Sequence, residues 1–229
     1  MKKIILLLSF IMMAASCARE AQLEDTTTEA ATLAGEPETQ TSNEELLEVK
    51  LEDSLSEYNY IDSQRIIPTV PLNQALKYFK AHKASILNQK YITIVDMTQK
   101  SNKKRMYVID MQSGAVTSYL AAHGKNSDKN NDGYAEAFSN TEGSLMSSLG
   151  FYLTGVTYQG SKGLSLRLDG LQSSNSNALS RAIVMHGADY VNSSSVGRSW
   201  GCPAIERKYV NTVIPALKGK SLLYIYKAK

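Results

Sequence analysis

Cysteine is scarce in this sequence, and its scarcity limits both cross-linking and thiol chemistry. Only Cys17 and Cys202 occur among the 229 residues. Cys17 stands at the end of a leader-like segment, so a chain cut or lipidated there keeps Cys202 as its single unmodified thiol and forms no intramolecular disulfide. A solitary thiol outside the cytoplasm is either buried and inert or chemically active.

Metal ligands at useful spacings are also lacking. The three histidines have no ligand spacing that would suit zinc. Asp128–Gly133 (DKNNDG) matches the first half of an EF-hand loop, but Ser139 stands where the bidentate glutamate is expected. A turn is favoured there, and weak calcium binding stays open. We expect no cofactor and no resident metal, and the absence of a nucleic-acid motif predicts no nucleic-acid partner.

Long apolar runs are absent as well. Ile4–Met13 is too short to cross a bilayer, but it follows Lys2 and Lys3 and leads through small residues to Cys17. This pattern is typical of a bacterial lipoprotein signal peptide over residues 1–17, with Cys17 as the lipidated residue. Ala14 occupies the position where leucine is usual, so plain secretion is the alternative. The predicted location is the bacterial cell envelope, as a periplasmic lipoprotein, with outer-membrane anchoring favoured and the choice of membrane left open.

Charge of the two signs is divided along the chain. Residues 18–65 hold thirteen acidic and three basic residues, whereas residues 66–229 hold twenty basic and nine acidic ones. Low hydrophobicity predicts an acidic disordered spacer over 18–66, with a possible amphipathic helix at 43–58. The remaining residues, 67–229, form the predicted folded domain. Its positive charge suits an anionic polymer such as the cell wall, and nothing in the sequence indicates an oligomeric state.

Short alternating segments dominate the folded part. Period-two patterns predict strands, two of them as a hairpin, at 91–96, 106–110, 116–122, 151–158, 164–168, 182–186 and 221–226. Helical spacing predicts helices from Pro71 to about 84, at 174–181 and at 206–217. Many short strands with a few helices predict a mainly β fold, a sandwich or barrel of mostly antiparallel sheet.

A histidine and a thiol flank one polar loop between residues 183 and 205. A short apolar run delivers His186, and the loop ends at Gly201-Cys202. A cysteine nucleophile needs an adjacent base, and glycine before it permits a tight turn whose N–H groups face a developing oxyanion. Spacing alone leaves a buried inert Cys202 and a structural His186 as alternatives.

The run MHGADYVNSSSVGRSWGCPAI resembles the murein L,D-transpeptidase (YkuD-type) catalytic domain, in the branch with proline after the cysteine. The likeness covers most of residues 90–206. It implies an L,D-transpeptidase-type β-sandwich or barrel-like mixed sheet, with Cys202 as nucleophile and His186 as base. It further implies that the Gly187 carbonyl orients the imidazole, that Ser199 supports the loop, and that the amides of Cys202 and the residue before it, Gly201, form the oxyanion hole.

The resemblance also implies a substrate. Cys202 would attack a peptidoglycan stem tetrapeptide, release D-Ala and form a thioester, which an amine resolves to a 3→3 cross-link or another amide. Two alternatives stay open: an L,D-carboxypeptidase that trims tetrapeptides to tripeptides with water, and a catalytically silent wall-binding lipoprotein. The expected partners are peptidoglycan stem peptides and, through the N-terminal lipid, a membrane.

One departure from the family concerns a missing arginine. The larger family carries arginine two residues beyond the cysteine, where this chain has Ala204. Arg198, or less favourably Arg207, is the candidate for binding a substrate carboxylate. Trp200 is predicted either to stack on substrate or to anchor the loop. His123 is predicted either to contact substrate in the same cleft or to cap a strand edge.

Overall fold

The computed structural model describes residues 54–192, 194 and 196–228. Within them, a mainly β domain with two α-helices confirms the predicted fold class. The strands are β1 Tyr91–Asp96, β2 Met106–Asp110, β3 Val116–Tyr119, β4 Gly150–Gly160, β5 Gly163–Gly170, β6 Val184–Ala188, β7 Ala204–Glu206 and β8 Leu222–Tyr226. The helices are α1 Thr69–Ala81 and α2 Val210–Leu217.

All eight strands belong to one mixed sheet. Their order is β3-β2-β1-β8-β4-β5-β6-β7. Pairing is antiparallel except between β1 and β8 and between β6 and β7. An isolated antiparallel bridge joins Ala122, just beyond β3, to Ala204 at the opposite edge strand, so the sheet is nearly closed into a barrel.

Alternation along the central strands divides them between two apolar clusters. Ile92 and Ile94 of β1 face the cluster that includes the buried side of α1, whereas Val95 faces the cluster that includes α2. Successive strand residues point to opposite faces, so β1 needs apolar side chains on both. Its residues Ile92, Ile94 and Val95 are fully buried. The two helices therefore cover opposite faces of the sheet.

The packed domain begins before the predicted boundary at residue 67. Leu55, Tyr58, Ile61 and Ile67 are buried in the α1 cluster, and the Tyr58 ring meets the Phe79 ring edge-on at 6.3 Å. The described part of the predicted spacer, residues 54–66, is therefore packed on the domain. The predicted signal peptide, Cys17 and residues 18–53 lie outside the described residues, among which no helix is long and apolar enough to cross a bilayer.

Three helix predictions need correction. α1 begins at Thr69 rather than Pro71, since proline fits anywhere in a first turn whose N–H groups lack partners. α2 begins at Val210, preceded by a 3₁₀ turn at Arg207–Tyr209. Residues 173–182 form turns instead of the predicted helix at 174–181. There Asn175 binds the backbone of Gln172 and Phe151 through its side chain, which competes with helical bonding.

Candidate active site

The pairing of β6 with β7 positions the histidine and the thiol predicted as catalytic. His186 lies opposite Ala204 in the parallel register, and Cys202 precedes Ala204 by two residues. Both side chains line a cleft of about 430 Å³ beside the 188–200 loop. The sheet ladder thus brings together the two residues that sequence spacing suggested.

Cys202 is held by the stretch that leads into β6. Its Sγ lies 3.5 Å from the Val184 N–H and 3.8 Å from the Ala182 carbonyl oxygen. Burial raises the pKa of the Cys202 thiol, and the Val184 N–H and the Arg181 charge oppose that rise. A raised pKa favours the protonated thiol, and a base that removes its proton would make it a nucleophile.

His186 has one ring nitrogen fixed and the other available. Its Nδ1 lies 3.0 Å from the Gly187 carbonyl oxygen, which only accepts, so Nδ1 carries the proton and Nε2 keeps its lone pair. Burial lowers the pKa of His186, with further lowering from Lys162 and Arg207. A neutral imidazole with a free Nε2 is the form that accepts a proton from a thiol.

Gly187 itself is required for helix packing. A Cβ at this position would lie 2.4 Å from Cγ2 of Val210 in α2. Any side chain would push α2 away from β6, the strand that carries His186. The glycine therefore lets the helix pack directly behind the histidine.

Ser199 and Gly201 build the turn before Cys202. Ser199 Oγ donates to the Cys202 carbonyl at 2.7 Å and accepts from the Gly201 N–H at 3.0 Å. Gly201 has a φ of +125°, a conformation that favours glycine. Because its N–H is engaged with Ser199, Gly201 does not supply the predicted oxyanion-hole amide in this structure. The Cys202 N–H has no hydrogen-bond partner among the described residues.

Trp200 and Arg198 both line the cleft, in different ways. Trp200 is 74% exposed at the cleft, as a surface for stacking on substrate would need to be. Arg198 Nη1 donates to the backbone carbonyls of Lys125 and Asp128. Part of the Arg198 guanidinium therefore fastens the loop to a neighbouring segment instead of facing the cleft.

His123 is not among the residues that line the cleft, where the predicted substrate contact would require it to be. The residue is fully buried, with Arg105 Nη2 2.8 Å from Nδ1 and Asp128 Oδ2 3.2 Å from Nε2. Burial, followed by the Arg105 charge, lowers the pKa of His123 to about 4. Arginine only donates, so Nε2 carries the proton and donates to Asp128. The carbonyl of His123 accepts a hydrogen bond from the Ser199 N–H at 2.8 Å, and this bond supports the loop.

The EF-hand-like stretch forms a turn around the same carboxylate. Asp128 is buried, and besides His123 it accepts from the N–H groups of Asp132 and Gly133 at 3.1 and 3.0 Å. No group of three metal-ligating side chains occurs among the described residues. The Asp128 side chain therefore organises the turn.

Ala204 explains why arginine is missing two residues after the cysteine. Ala204 is fully buried in a small apolar cluster with Ala122 and Ala188, where a guanidinium has no room. Arg207, the second candidate for a substrate carboxylate, forms an ion pair with Asp189 at 2.5 Å. Its Nη1 also donates to the Lys162 carbonyl at 3.2 Å.

The opposite wall of the cleft was not predicted. It comes from the β4–β5 turn and from the loop, and includes Tyr158, Lys162 and Tyr190. The two glycines around Lys162 signalled a hairpin, but its fold over His186 is a long-range contact that no local pattern reports. Of the cleft-lining residues, two are cations, Lys162 and Arg198, and none is an acid.

The nearly closed mixed sheet thus places His186 on β6, and Cys202 two residues before the adjoining parallel strand β7, at one cleft. The family description "L,D-transpeptidase catalytic domain" (YkuD_2) matches residues 63–226. The chain belongs to this family, as its sequence motif predicted.

Solved structures similar to the chain are L,D-transpeptidases, at low identity. One from Mycobacterium smegmatis has 9% identity and a TM-score of 0.38, covering 60% of this chain and 59% of the other. L,D-transpeptidase 3 from Mycobacterium tuberculosis has 9% identity and a TM-score of 0.40, covering 60% and 61%. LdtMt1 in complex with imipenem has 12% identity and a TM-score of 0.37, covering 60% and 59%.

This chain thus spans about three fifths of those structures' length. No curated protein matches it. Membership of the family rests on the match over residues 63–226.

Proposed function

We propose that this protein is a cysteine-dependent peptidoglycan L,D-transpeptidase that acts on stem tetrapeptides. The observation that carries the proposal is the joint placement of His186 and Cys202 in one cleft. His186 presents a free Nε2 there, and the thiol belongs to Cys202, two residues before the next strand of the sheet, β7. Family membership supplies the reaction class.

The first half-reaction forms a thioester. The Cys202 proton passes to His186 Nε2 as Sγ attacks the carbonyl between the diamino acid and the terminal D-Ala. The C–N bond then breaks, and the proton goes from His186 to the amine of the departing D-Ala. The acyl group remains on Cys202.

The second half-reaction transfers that acyl group. An amine from a neighbouring stem loses a proton to His186 and attacks the thioester carbon, so that a C–N bond forms and the C–S bond breaks. The thiol is restored, and the product is a 3→3 cross-link. With water as acceptor the same cleft would act as an L,D-carboxypeptidase.

The charge of the cleft suits this substrate. Stem peptides carry free carboxylates, and the cleft presents Lys162 and Arg198 with no acid among its described lining residues. Trp200 adds an exposed apolar surface for the peptide or sugar. Attachment to the envelope through Cys17 remains part of the proposal, since it would keep the cleft within reach of the wall.

Incubation with a disaccharide tetrapeptide, followed by mass spectrometry of enzyme and products, tests the proposal. We expect released D-Ala, a cross-linked dimer and, after acid quenching, an acyl group on Cys202. Tripeptide without dimer would identify the carboxypeptidase instead. Cys202→Ala should abolish all three signals, and full activity in that variant would refute the mechanism.

Imipenem, which occupies a solved structure of one L,D-transpeptidase, provides a second probe. We expect it to add its mass to the wild-type protein and to leave Cys202→Ala unmodified. A wild-type protein that neither reacts with imipenem nor turns over tetrapeptide would be the silent wall-binding lipoprotein.

A further inference from the structure

Arg181 is an arginine beside the nucleophile that the mechanism above does not use. It lies in the turn before β6, and its guanidinium is half-buried. Nη1 donates to the Ser139 carbonyl at 2.7 Å and to Ser148 Oγ at 3.3 Å. Nη2 donates to the Met146 carbonyl at 2.6 Å and to Ser144 Oγ at 3.2 Å.

These bonds hold the 139–148 segment against the turn before Cys202. The Met146 carbonyl oxygen would lie 2.7 Å from a Cβ at Gly201, so the two backbones are in direct contact. Ser147 Oγ also donates to the Gly201 carbonyl at 3.1 Å. A change at Arg181 therefore reaches the nucleophile turn through Met146 and Gly201.

The charge of Arg181 is not neutralised by a carboxylate. All four bonds of its guanidinium go to carbonyl or hydroxyl oxygens, and it forms no ion pair with the described acids. Nη2 lies 3.4 Å from the Cβ position of Gly201, the residue preceding Cys202. The anion that this cation can stabilise is a thiolate at Cys202.

The other arginines near the cleft are committed elsewhere. Arg198 donates to Lys125 and Asp128, and Arg207 pairs with Asp189. Ala204 leaves no arginine on β7. Arg181 is therefore the arginine that lies beside the turn before Cys202 without a bond that commits its charge to an acid.

We propose that Arg181 is a positioning residue for Cys202: it fixes the nucleophile turn through the 139–148 segment, and its uncompensated charge stabilises the thiolate that forms during attack. This inference rests on the proposed function, in which Cys202 is the nucleophile. Arg181 belongs to the segment 174–181, which was predicted to be a helix, and it was not predicted as a site residue.

The surroundings of the thiol give the direction of the effect. Burial raises the pKa of Cys202, and the Arg181 charge lowers it. Tyr152 and Tyr190 interact electrostatically with the thiolate, and His186 lines the same cleft. Removing Arg181 leaves burial less opposed, so the pKa of the thiol rises further.

The rate of Cys202 alkylation by iodoacetamide between about pH 6 and pH 12 tests the proposal without any peptidoglycan. Arg181→Met should raise the midpoint of the profile by about one pH unit and slow alkylation at pH 7 about tenfold, because only the thiolate reacts. Arg181→Gln, which keeps hydrogen-bond donors but not the charge, should show the same raised midpoint. Arg181→Lys should keep the wild-type midpoint while lowering kcat on tetrapeptide, because it makes fewer bonds to the 139–148 segment.

Arg65→Met removes the same charge from an exposed loop outside the cleft and should leave the profile unchanged. Circular dichroism confirms that each variant is folded, and Arg181→Gln decides the matter if Arg181→Met is not. A wild-type midpoint in the neutral variants would overturn the proposal and make Arg181 a structural brace only. If alkylation behaves as expected but no tetrapeptide is processed, the proposed function fails while the placement of Arg181 stands.

Discussion

Two histidine-glycine pairs in this chain look alike in sequence and differ in the structure. His123-Gly124 follows β3 and His186-Gly187 lies in β6, and both imidazoles are buried, at 0% and 5% exposure. The difference lies in their ring nitrogens. Both nitrogens of His123 are held, by Arg105 and Asp128, whereas only Nδ1 of His186 is held. A histidine with one nitrogen fixed and the other facing a cleft is available for proton transfer, and one with both fixed is part of the scaffold.

The largest expected difference concerns turnover. His186→Gln should lower kcat on tetrapeptide by roughly 10²–10⁴-fold, because glutamine has no basic nitrogen to accept the thiol proton. His123→Gln, the matched control, should keep activity within about tenfold, since its amide replaces hydrogen bonds and takes no part in the chemistry. Release of D-Ala measures both. Equal losses of kcat in the two variants would contradict the contrast between the two histidines.

Stability should respond in the opposite order. His123→Leu leaves Arg105 and Asp128 buried without their shared partner, and should lower the free energy of unfolding by about 2–4 kcal/mol. His186→Leu interrupts one hydrogen bond to a backbone carbonyl and should cost about 1 kcal/mol. Urea denaturation of the two variants gives both values. Equal losses would mean that the Arg105–His123–Asp128 network adds no more to the free energy of unfolding than the single hydrogen bond of His186 does.

The pH dependence of stability separates the two histidines further. The pKa of His123 is about 4 in the folded protein against an ordinary value of 6.5, so between these values the unfolded chain binds the extra proton. Stability is therefore fully present above pH 6.5 and falls as the pH drops towards 4, by on the order of 3 kcal/mol from this residue. The lowered pKa of His186 acts in the same direction.

Urea titrations of the wild type and of His123→Gln, at pH 7 and at pH 5, isolate the contribution of His123. The variant should lose less stability over this interval than the wild type does. Parallel losses would show that His123 does not carry the effect.

The smallest expected effect concerns the binding of substrate at the cleft, measured as KM. The His186 site opens to an exposed indole, whereas the His123 site is sealed. Trp200→Ala should raise KM by about three- to tenfold, roughly 1 kcal/mol, with kcat and stability unchanged, because an aromatic face contributes binding and no chemistry. Tyr134→Ala removes an exposed aromatic away from the cleft and serves as the control. A fall in kcat with unchanged KM would place Trp200 in the chemical step instead.

Local patterns predicted most of the fold, because the strands alternate so regularly. Tyr91–Asp96 and Met106–Asp110 agree with the predicted bounds, since hydrophobic alternation is a local property of the chain. The helix predicted at 174–181 is wrong because the Asn175 side chain binds Phe151 of β4, a strand distant in sequence. Tertiary hydrogen bonds of that kind leave no periodic signal.

The residues of the candidate site likewise fall into those that a local motif predicted and those that only the fold brings together. His186 and Cys202 were predictable because one motif contains both, together with the glycine that the turn requires. Lys162 and Arg181 were not, because each reaches the cleft or the nucleophile turn through a fold between distant segments. The burial of His123 also depends on Arg105, whose pairing no spacing indicates.

The parallel pairing of β6 with β7 sets the relative position of His186 and Cys202. The loop that connects the two strands does not set it. His186 lies opposite Ala204 because backbone hydrogen bonds fix those strands side by side, whatever the length of the connection between them. Exposed positions of this connection, such as Ser194, can therefore change without moving His186 and Cys202 apart, whereas Val191 is buried in the cluster that contains Ala204. Substitutions in this connection are therefore the way to alter specificity while His186 and Cys202 stay in place.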